Sequence, residues 1–174
     1  MSQSTFKSSR LLQPARPWYI YFTLLFGFLL NLMPTGQAAF LPDWLAFVIC
    51  FWSVREFRKI GMGVAFLMGL LMDVADASVM GQHALSYVLV AYLASALSRR
   101  ILWFPLIEQA LHVLPILLLA QFVQFVARMM AGGDFPGFGY FVGPLIATLI
   151  WVPGTYAMML PQFRPVDRDD NRPI

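Results

Sequence analysis

The stretch REFRKIGMGVAFLMGLLMDVAD, residues 55–76, decides how this chain folds. It begins with the cations Arg55, Arg58 and Lys59, continues as an apolar run, and ends near the acids Asp73 and Asp76. Lys and Arg collect on the cytoplasmic side of membrane helices, and charge inside hydrocarbon is costly. The stretch therefore predicts a helix that leaves the cytoplasm at the cationic cluster and reaches the opposite membrane face near the acids.

The apolar segments on either side of this cluster are short. Residues 40–54 and 60–74 fall below the roughly 20 residues of an ordinary membrane helix, and such segments sometimes form re-entrant pairs. A re-entrant pair would hold the three cations deep in hydrocarbon, at a cost on the order of several kcal/mol. Two full crossings are therefore favoured.

Six apolar segments alternate along the chain with gaps of opposite character. The segments are residues 18–33, 40–54, 60–74, 83–97, 103–130 and 141–160, and Pro115 is expected to bend the fifth. Of the 12 Lys and Arg residues, all except Arg128 lie in the gaps on the side of the N-terminus. The positive-inside rule then predicts an all-α integral membrane protein with six transmembrane helices and both termini in the cytoplasm.

The composition agrees with a membrane location. Hydrophobic residues make up 59% of the 174 positions and charged residues 12%, against roughly 45–50% and about 25% in soluble domains. The net charge of +3 is too small to indicate a nucleic-acid surface. Cys50 is the only cysteine, so a disulfide framework is excluded and the residue is expected to be a small core hydrophobe.

The domain organisation is expected to be simple. Residues 1–17 form a polar cytoplasmic tail, residues 18–160 a single transmembrane domain, and residues 161–174 a second cytoplasmic tail of mixed charge. The first apolar segment lacks a small-residue cleavage pattern, so it is expected to remain as an uncleaved helix.

Small residues recur at every fourth position of the third segment. They are Gly61, Ala65, Gly69, Asp73 and Ala77, with Asp73 as the one ionisable member of the row. This spacing places them on one helical face, where small side chains let another helix approach closely. For Asp73 we favour a structural role, as a cap or a backbone partner near the outer end of its helix, over a role in transport or proton transfer.

The fifth segment carries polar residues on two faces. Gln121, Gln124 and Arg128 form one stripe, while Glu108 and His112 lie roughly opposite. Polar groups against lipid are costly, so both faces are expected to meet protein, with Arg128 within reach of Asp73 or Asp134. The first stripe is therefore a candidate cavity lining or partner-facing surface.

No catalytic or metal-binding motif is visible in the sequence. The two histidines, His83 and His112, lack ligand spacing such as HExxH, and the glycines near residue 135 lack the Lys and Ser/Thr of a P-loop. We therefore expect no cofactor, no metal and no enzymatic activity, and an intramembrane enzyme is the least favoured alternative.

The third segment and the turn after it resemble a known family. GLLMD at residues 69–73, seven further residues, and GQHAL at residues 81–85 are similar to the central motif of the rod shape-determining protein MreD family. The size of the chain, Trp52 before the cationic turn, and the closing LIWVP at residues 149–153 extend the resemblance over most of the sequence. Residue by residue, the motif matches Gly69, Asp73, Gly81, Ala84 and Leu85.

The resemblance implies a scaffold subunit of the bacterial cell-elongation complex in the inner membrane. It implies binding to MreC and, indirectly, association with MreB, with RodA and with the partner transpeptidase of RodA in lateral peptidoglycan synthesis. It also implies a fold similar to the S components of energy-coupling factor transporters. The motif residues would then be structural and possible partner contacts rather than catalytic.

A second hypothesis follows from the same polar residues. An S-component-like protein would bind a small molecule or a lipid headgroup in a cavity lined by Asp73, Tyr87, Gln121 and Gln124. The sequence leaves this alternative open beside the scaffold.

Overall fold

A computed structural model describes residues 15–33 and 41–162 of the chain. This part is all-helical, with α1 at Pro17–Asn31, α2 at Trp44–Arg55, α3 at Met62–Ala75, α4 at Gln82–Trp103, α5 at Leu106–Met130 and α6 at Val142–Met159. Short 3-10 turns at Phe138–Phe141 and Leu160–Gln162 flank α6. The predicted all-α class is confirmed. The predicted tails lie largely outside the described residues.

The helices fall into two length classes. α4, α5 and the helical stretch Phe138–Gln162 are long and apolar enough to cross a membrane, whereas α1, α2 and α3 are shorter apolar helices. At about 1.5 Å per residue, the 12 residues of α2 cover only about 18 Å. Residues 41–43 before this helix are not helical, and the backbone of Asp43 is extended.

α4 extends well beyond its predicted end. The predicted segment stopped at residue 97, before the basic pair Arg99 and Arg100, but the helix continues to Trp103. Arginine is a good helix former, so a charged pair ends an apolar run without ending the helix. The stop comes at Phe104, which is extended and precedes Pro105.

α1 and α2 form an antiparallel hairpin that is bonded at both ends. The Trp44 backbone N–H donates to Asn31 Oδ1 at 2.9 Å, joining the end of α1 to the start of α2. At the opposite ends the Ala15 backbone N–H donates to Glu56 Oε1 at 3.2 Å, and between the two ends Trp52 Nε1 donates to Thr23 Oγ1 at 2.8 Å.

The remaining helices also alternate in direction along the chain. Contacts between Asp73 and His83 join the end of α3 to the start of α4, and Gln124 Nε2 donates to Ser86 Oγ at 2.9 Å, joining the later part of α5 to the start of α4. Tyr140, just before α6, donates through its hydroxyl to Gln124 Oε1 at 3.0 Å. All six helices therefore present one terminus to a common end of the bundle, called here the Asp43 end.

α2 is the core of the bundle. Every residue from Leu45 to Val54 is buried, and the helix contacts α1, α4, α5 and α6. Phe47 and Phe51 pack against Trp151 of α6 with ring centroids 5.5 and 6.2 Å apart. Cys50 is a free thiol with no exposed surface, as predicted for a core residue. α3 lies at the edge, because α4 is its principal neighbour.

Candidate functional site

Asp73 caps the helix that follows its own. Its carboxylate is 1% exposed and accepts the backbone N–H groups of Gly81 at 2.8 Å, His83 at 2.7 Å and Ala84 at 3.4 Å. These are the first donors of α4, which have no partner within the helix. A negative charge is also favourable at a helix N-terminus. Asp73 therefore holds the end of α3 onto the start of α4.

The side chains around Asp73 complete its coordination. His83 Nδ1 lies 2.9 Å from Asp73 Oδ1, and the Ser78 hydroxyl donates to the same oxygen at 3.1 Å. The carboxylate thus accepts three backbone and two side-chain contacts within a buried site. This arrangement is the structural role that we favoured, with the difference that the capped helix is α4 rather than α3.

Gly69 brings the backbones of α3 and α4 into direct contact. A Cβ atom added at Gly69 would lie 2.5 Å from the Ala84 nitrogen and 2.8 Å from the His83 carbonyl carbon. Such separations are shorter than any van der Waals contact, so no larger residue fits while the helices keep this spacing. One turn of helix separates Gly69 from Asp73, and together they fasten α3 to α4.

Gly81 supplies the backbone conformation that the cap needs. Its φ of +95° lies in the left-handed region, which glycine enters without steric cost. This turn aims the Gly81 N–H at Asp73 just before α4 begins. The spacing of the GLLMD and GQHAL stretches therefore allows α3 to pack against α4 at Gly69 and Asp73 to cap the start of α4.

The remaining motif residues separate into two groups. Ala65 has no exposed surface and Ala84 is 1% exposed, so both belong to the packed face. Gly61 precedes α3, where an added Cβ atom would have nothing within 4 Å, and Leu85 is 59% exposed. Ala77 lies beyond the helix with a φ of 48°. The close contact between helices therefore covers only the middle of the predicted row.

A second carboxylate, Asp43, connects four helices at the same end. It is the N-cap of α2, accepting the Ala46 N–H at 2.9 Å. Its oxygens also accept Asn31 Nδ2 at 2.8 Å, the Tyr87 hydroxyl at 3.0 Å and Gln124 Nε2 at 3.3 Å. Those three donors come from α1, α4 and α5.

Gln124 is the hub of this network. Its Nε2 donates to Ser86 at 2.9 Å as well as to Asp43, while its Oε1 accepts the Tyr140 hydroxyl. Gln124 is 4% exposed, so these bonds replace water. Gln121, one turn earlier, makes a single longer bond of 3.3 Å to the Tyr140 carbonyl oxygen.

A cavity of about 740 Å³ lies at the Asp43 end. Its described lining comes from α1, α2, α3, α4, α5 and the segment before α6, and it is rich in polar side chains. Gln121, Gln124 and Arg128, the polar stripe of α5, all line it. Asp73 and Tyr87, which we also predicted as lining residues, instead use their polar groups for the helix junctions described above.

The predicted ion pairs of Arg128 do not form. Within residues 15–33 and 41–162, Lys59 forms a salt bridge with Glu56 at 3.3 Å, and His83 Nδ1 contacts Asp73 Oδ1 at 2.9 Å. Arg128 is exposed at the cavity instead. On the other face of α5, Glu108 is exposed, and the His112 ring stacks on Phe104 with centroids 4.7 Å apart.

Several residues of this site were not predicted from the sequence. Asp43 stands immediately before an apolar run, which is a recognised N-cap signal that identifies its local bond but not its three distant partners. Asn31, Ser86 and Tyr140 carried no signal, because their roles depend on which helices become neighbours.

The polar groups at this end serve mainly to join helices. The buried carboxylate of Asp73 and the half-buried carboxylate of Asp43 each accept several hydrogen bonds, and His83 is bonded to Asp73. In the described part of the chain, no group of three or more His, Cys, Asp or Glu residues is placed to hold a metal ion. The arrangement suits helix positioning and, at the cavity, the binding of polar groups.

Comparison with known proteins gives a consistent result. The sequence model of the family described as rod shape-determining protein MreD matches residues 14–160. The rod shape-determining protein MreD of Haemophilus influenzae is 32% identical over 109 residues, which cover 60% of this chain and 67% of that protein. No solved structure matches the chain, so the similarity to S components stays a prediction.

Proposed function

Because this chain belongs to the MreD family of rod shape-determining membrane proteins, and so has a role in rod shape, we propose that it acts as a scaffold subunit of the cell-elongation complex. In this proposal it lies in the bacterial inner membrane, binds MreC, and through MreC associates with MreB, with RodA and with the partner transpeptidase of RodA. It does no chemistry on peptidoglycan itself.

One observation carries the scaffold proposal. Asp43 and Asp73 join the helix termini at a single end of the bundle, through hydrogen bonds that involve α1, α2, α3, α4 and α5. Partners that bind a rigid surface lose less conformational entropy than partners that bind a mobile one. A surface whose helix termini are held by hydrogen bonds is suited to binding a partner protein. It is less suited to catalysis, which would need reactive groups that are free of structural hydrogen bonds.

The Asp43 end also carries an exposed aromatic cluster. Phe125 packs edge-on against Phe135 with ring centroids 5.8 Å apart, and Phe138 lies 5.4 Å from Phe135 in the same way. Phe138 and the nearby Met130 are both 84% exposed. Aromatic residues and Met are enriched in protein interfaces. We place the MreC contact on this cluster and the helix faces beside it.

Co-isolation tests this assignment. The wild-type protein, extracted in mild detergent, is expected to co-purify with MreC, and a Phe138→Ser, Met130→Ser double variant to recover at least about tenfold less, since hot-spot losses exceed about 2 kcal/mol. Phe57→Ser is the matched control, because Phe57 is 48% exposed but lies in the turn between α2 and α3, at the opposite end of the bundle.

Failure of the wild-type protein to retain MreC, while unrelated membrane proteins extract normally, would overturn the proposal. Loss with Phe57→Ser but not with the double variant would move the contact to the other end. In a rod-shaped host, depletion of the protein is expected to make the cells round.

The membrane arrangement belongs to the same proposal. Six alternating helices with the cationic turns at one end support six crossings with both termini in the cytoplasm. The Asp43 end, with its cavity, then faces outward. A second candidate function, the binding of a small molecule or lipid headgroup, is supported by that cavity, whose volume of about 740 Å³ falls in the range of roughly 300–1,000 Å³ usual for ligand sites.

A further inference from the structure

The charged groups of the cavity at the Asp43 end are not matched to one another. Asp43 and Asp76 contribute two carboxylates to its lining and Arg128 contributes one guanidinium. Among the described residues, Arg128 has no salt bridge within 4 Å, and neither does Asp76. The cavity therefore presents both signs of charge with neither neutralised by an ion pair.

The acidic and basic groups come from different parts of the fold. Asp43 lies at the start of α2 and Asp76 just after α3, whereas Arg128 lies in the last turn of α5. Asp43 is already bonded to four donors, so Asp76 is the carboxylate whose acceptors are free within the described part of the chain. Opposite charges that come from different helices and form no salt bridge with each other are complementary to a ligand that carries both.

The uncharged lining is also suited to such a ligand. Trp44, Phe135 and Tyr140 contribute aromatic side chains, and aromatic faces attract ammonium groups. Gln121 adds an amide group from the same helix as the guanidinium, whereas the amide of Gln124 is already bonded to Asp43, Ser86 and Tyr140. Ligand pockets are usually mostly apolar, whereas this one is polar and open to one end of the bundle, which disfavours an apolar ligand.

We infer that this cavity binds a small zwitterion, with its ammonium group at Asp76 and the aromatic side chains and its anionic oxygens at Arg128. Phosphoethanolamine has this chemistry, either as a phospholipid headgroup or as a free molecule. The inference rests on the second candidate function and specifies its ligand class. It does not require the MreC contact, although Phe135 belongs to both the cavity and the aromatic cluster.

Calorimetric titration of the full chain in phosphatidylglycerol nanodiscs tests the inference. O-phosphoethanolamine is expected to bind at least about tenfold more tightly than ethanolamine or inorganic phosphate alone, because each of those engages one charge only. Arg128→Gln should weaken phosphoethanolamine about tenfold and leave ethanolamine unchanged. Asp76→Asn should weaken both of these ligands. Because both side chains are exposed, the variants are expected to fold.

Matched controls use charges outside the cavity. Asp134→Asn and Arg58→Gln alter exposed residues that do not line it, and both should bind phosphoethanolamine as the wild type does. Phosphoethanolamine binding no tighter than phosphate or ethanolamine, or equal losses in the controls, would overturn the inference.

The lipid composition of the nanodiscs distinguishes a phospholipid headgroup from a soluble ligand. Nanodiscs that contain phosphatidylethanolamine should block the free probe if the headgroup is the occupant, and leave its binding unchanged if the occupant is soluble. Co-isolation of Arg128→Gln with MreC is measured in parallel. Retained MreC with lost zwitterion binding, or the reverse, separates failure of one proposal from failure of the other.

Discussion

Gly69 and Asp73 hold α3 against α4 in two different ways, by close packing and by hydrogen bonding. At Gly69 the missing side chain allows backbone contact, and at Asp73 a carboxylate satisfies the first donors of the next helix. α3 has few other neighbours in the bundle, so this junction carries most of its packing. A single added methyl group at Gly69 therefore acts on the whole of α3.

Gly69→Ala is expected to destabilise the protein by about 1–3 kcal/mol, as overpacking of a close contact does. The clash is with backbone atoms of His83 and Ala84, which cannot move aside as a flexible side chain would. Thermal unfolding in one detergent, followed by circular dichroism, measures the difference.

Gly63→Ala is the control for this prediction. It lies on the same helix with nothing within 4 Å of its added Cβ, so it should be neutral or stabilising by up to about 1 kcal/mol, through helix propensity alone. Equal melting temperatures for the two variants would contradict the close-contact explanation.

The sequence predicted these residues better than it predicted their partners. Spacing every fourth residue identified the face of α3 that holds Ala65, Gly69 and Asp73, because helical periodicity is local. It also placed Gly61 and Ala77 in the same row, although both lie beyond the packed part of the helix. The capping of α4 by Asp73 depends on how residues 76–82 fold back, and periodicity carries no information about that turn.

At the scale of elements, buried polar bonds fix which helices are neighbours. Gln124 links α5 to Ser86 of α4, to Asp43 at the start of α2 and to Tyr140 before α6. Between apolar helices in lipid no hydrophobic force selects a partner, so packing and hydrogen bonds set the arrangement. One side chain thus contributes to the position of four elements.

Gln124→Leu is expected to cost about 1–3 kcal/mol, since it leaves Tyr140 and Ser86 without their buried partner. Gln121→Leu, one turn away with a single bond of 3.3 Å, should change stability by less than about 0.5 kcal/mol. Unfolding of both variants in the same detergent provides the comparison.

A Tyr140→Phe, Gln124→Leu double variant tests the coupling. Because the two side chains share a hydrogen bond, the loss in the double variant should be smaller than the sum of the single losses. Additive losses would show that the hydroxyl contributes independently of Gln124.

The existence of the helices could be predicted from the sequence, but their end points could not. The apolar segments predicted all six helices, but they ended α4 at the charged pair Arg99 and Arg100, whereas the backbone stop lies at Phe104 and Pro105. Hydropathy reports contact with lipid, and helix termination reports backbone chemistry. They differ at the start of α2 as well, because the apolar segment was predicted from residue 40, whereas the N-cap Asp43 begins the helix at Trp44.

At the scale of the whole molecule, apolar residues cover the outside as well as the core. Trp18, Phe26 and Leu29 of α1, and Phe66, Leu67 and Val74 of α3, are between 46% and 73% exposed. In water such surfaces would be unfavourable, but in a bilayer they are the normal lipid contact. Gln121 and Gln124 were candidates for a cavity lining from the sequence, but the volume of the cavity could not be predicted, because it depends on the spacing between helices.

The distribution of charge over the molecule makes a final prediction about orientation. Arg58 lies in the cationic turn between α2 and α3, and Asp134 lies after α5, at the opposite end of the bundle. Both are exposed, while the native Cys50 has no exposed surface. Single cysteines at these two positions can therefore be labelled without interference from the native thiol.

In spheroplasts, a membrane-impermeant maleimide is expected to label Asp134→Cys and to reach Arg58→Cys only after lysis, since the positive-inside rule puts the cationic turn in the cytoplasm. The wild-type protein is the control and should stay unlabelled in both conditions. Labelling of Arg58→Cys in intact spheroplasts would reverse the orientation, and labelling of both cysteines there would reduce the number of crossings and remove the outward-facing position of the cavity.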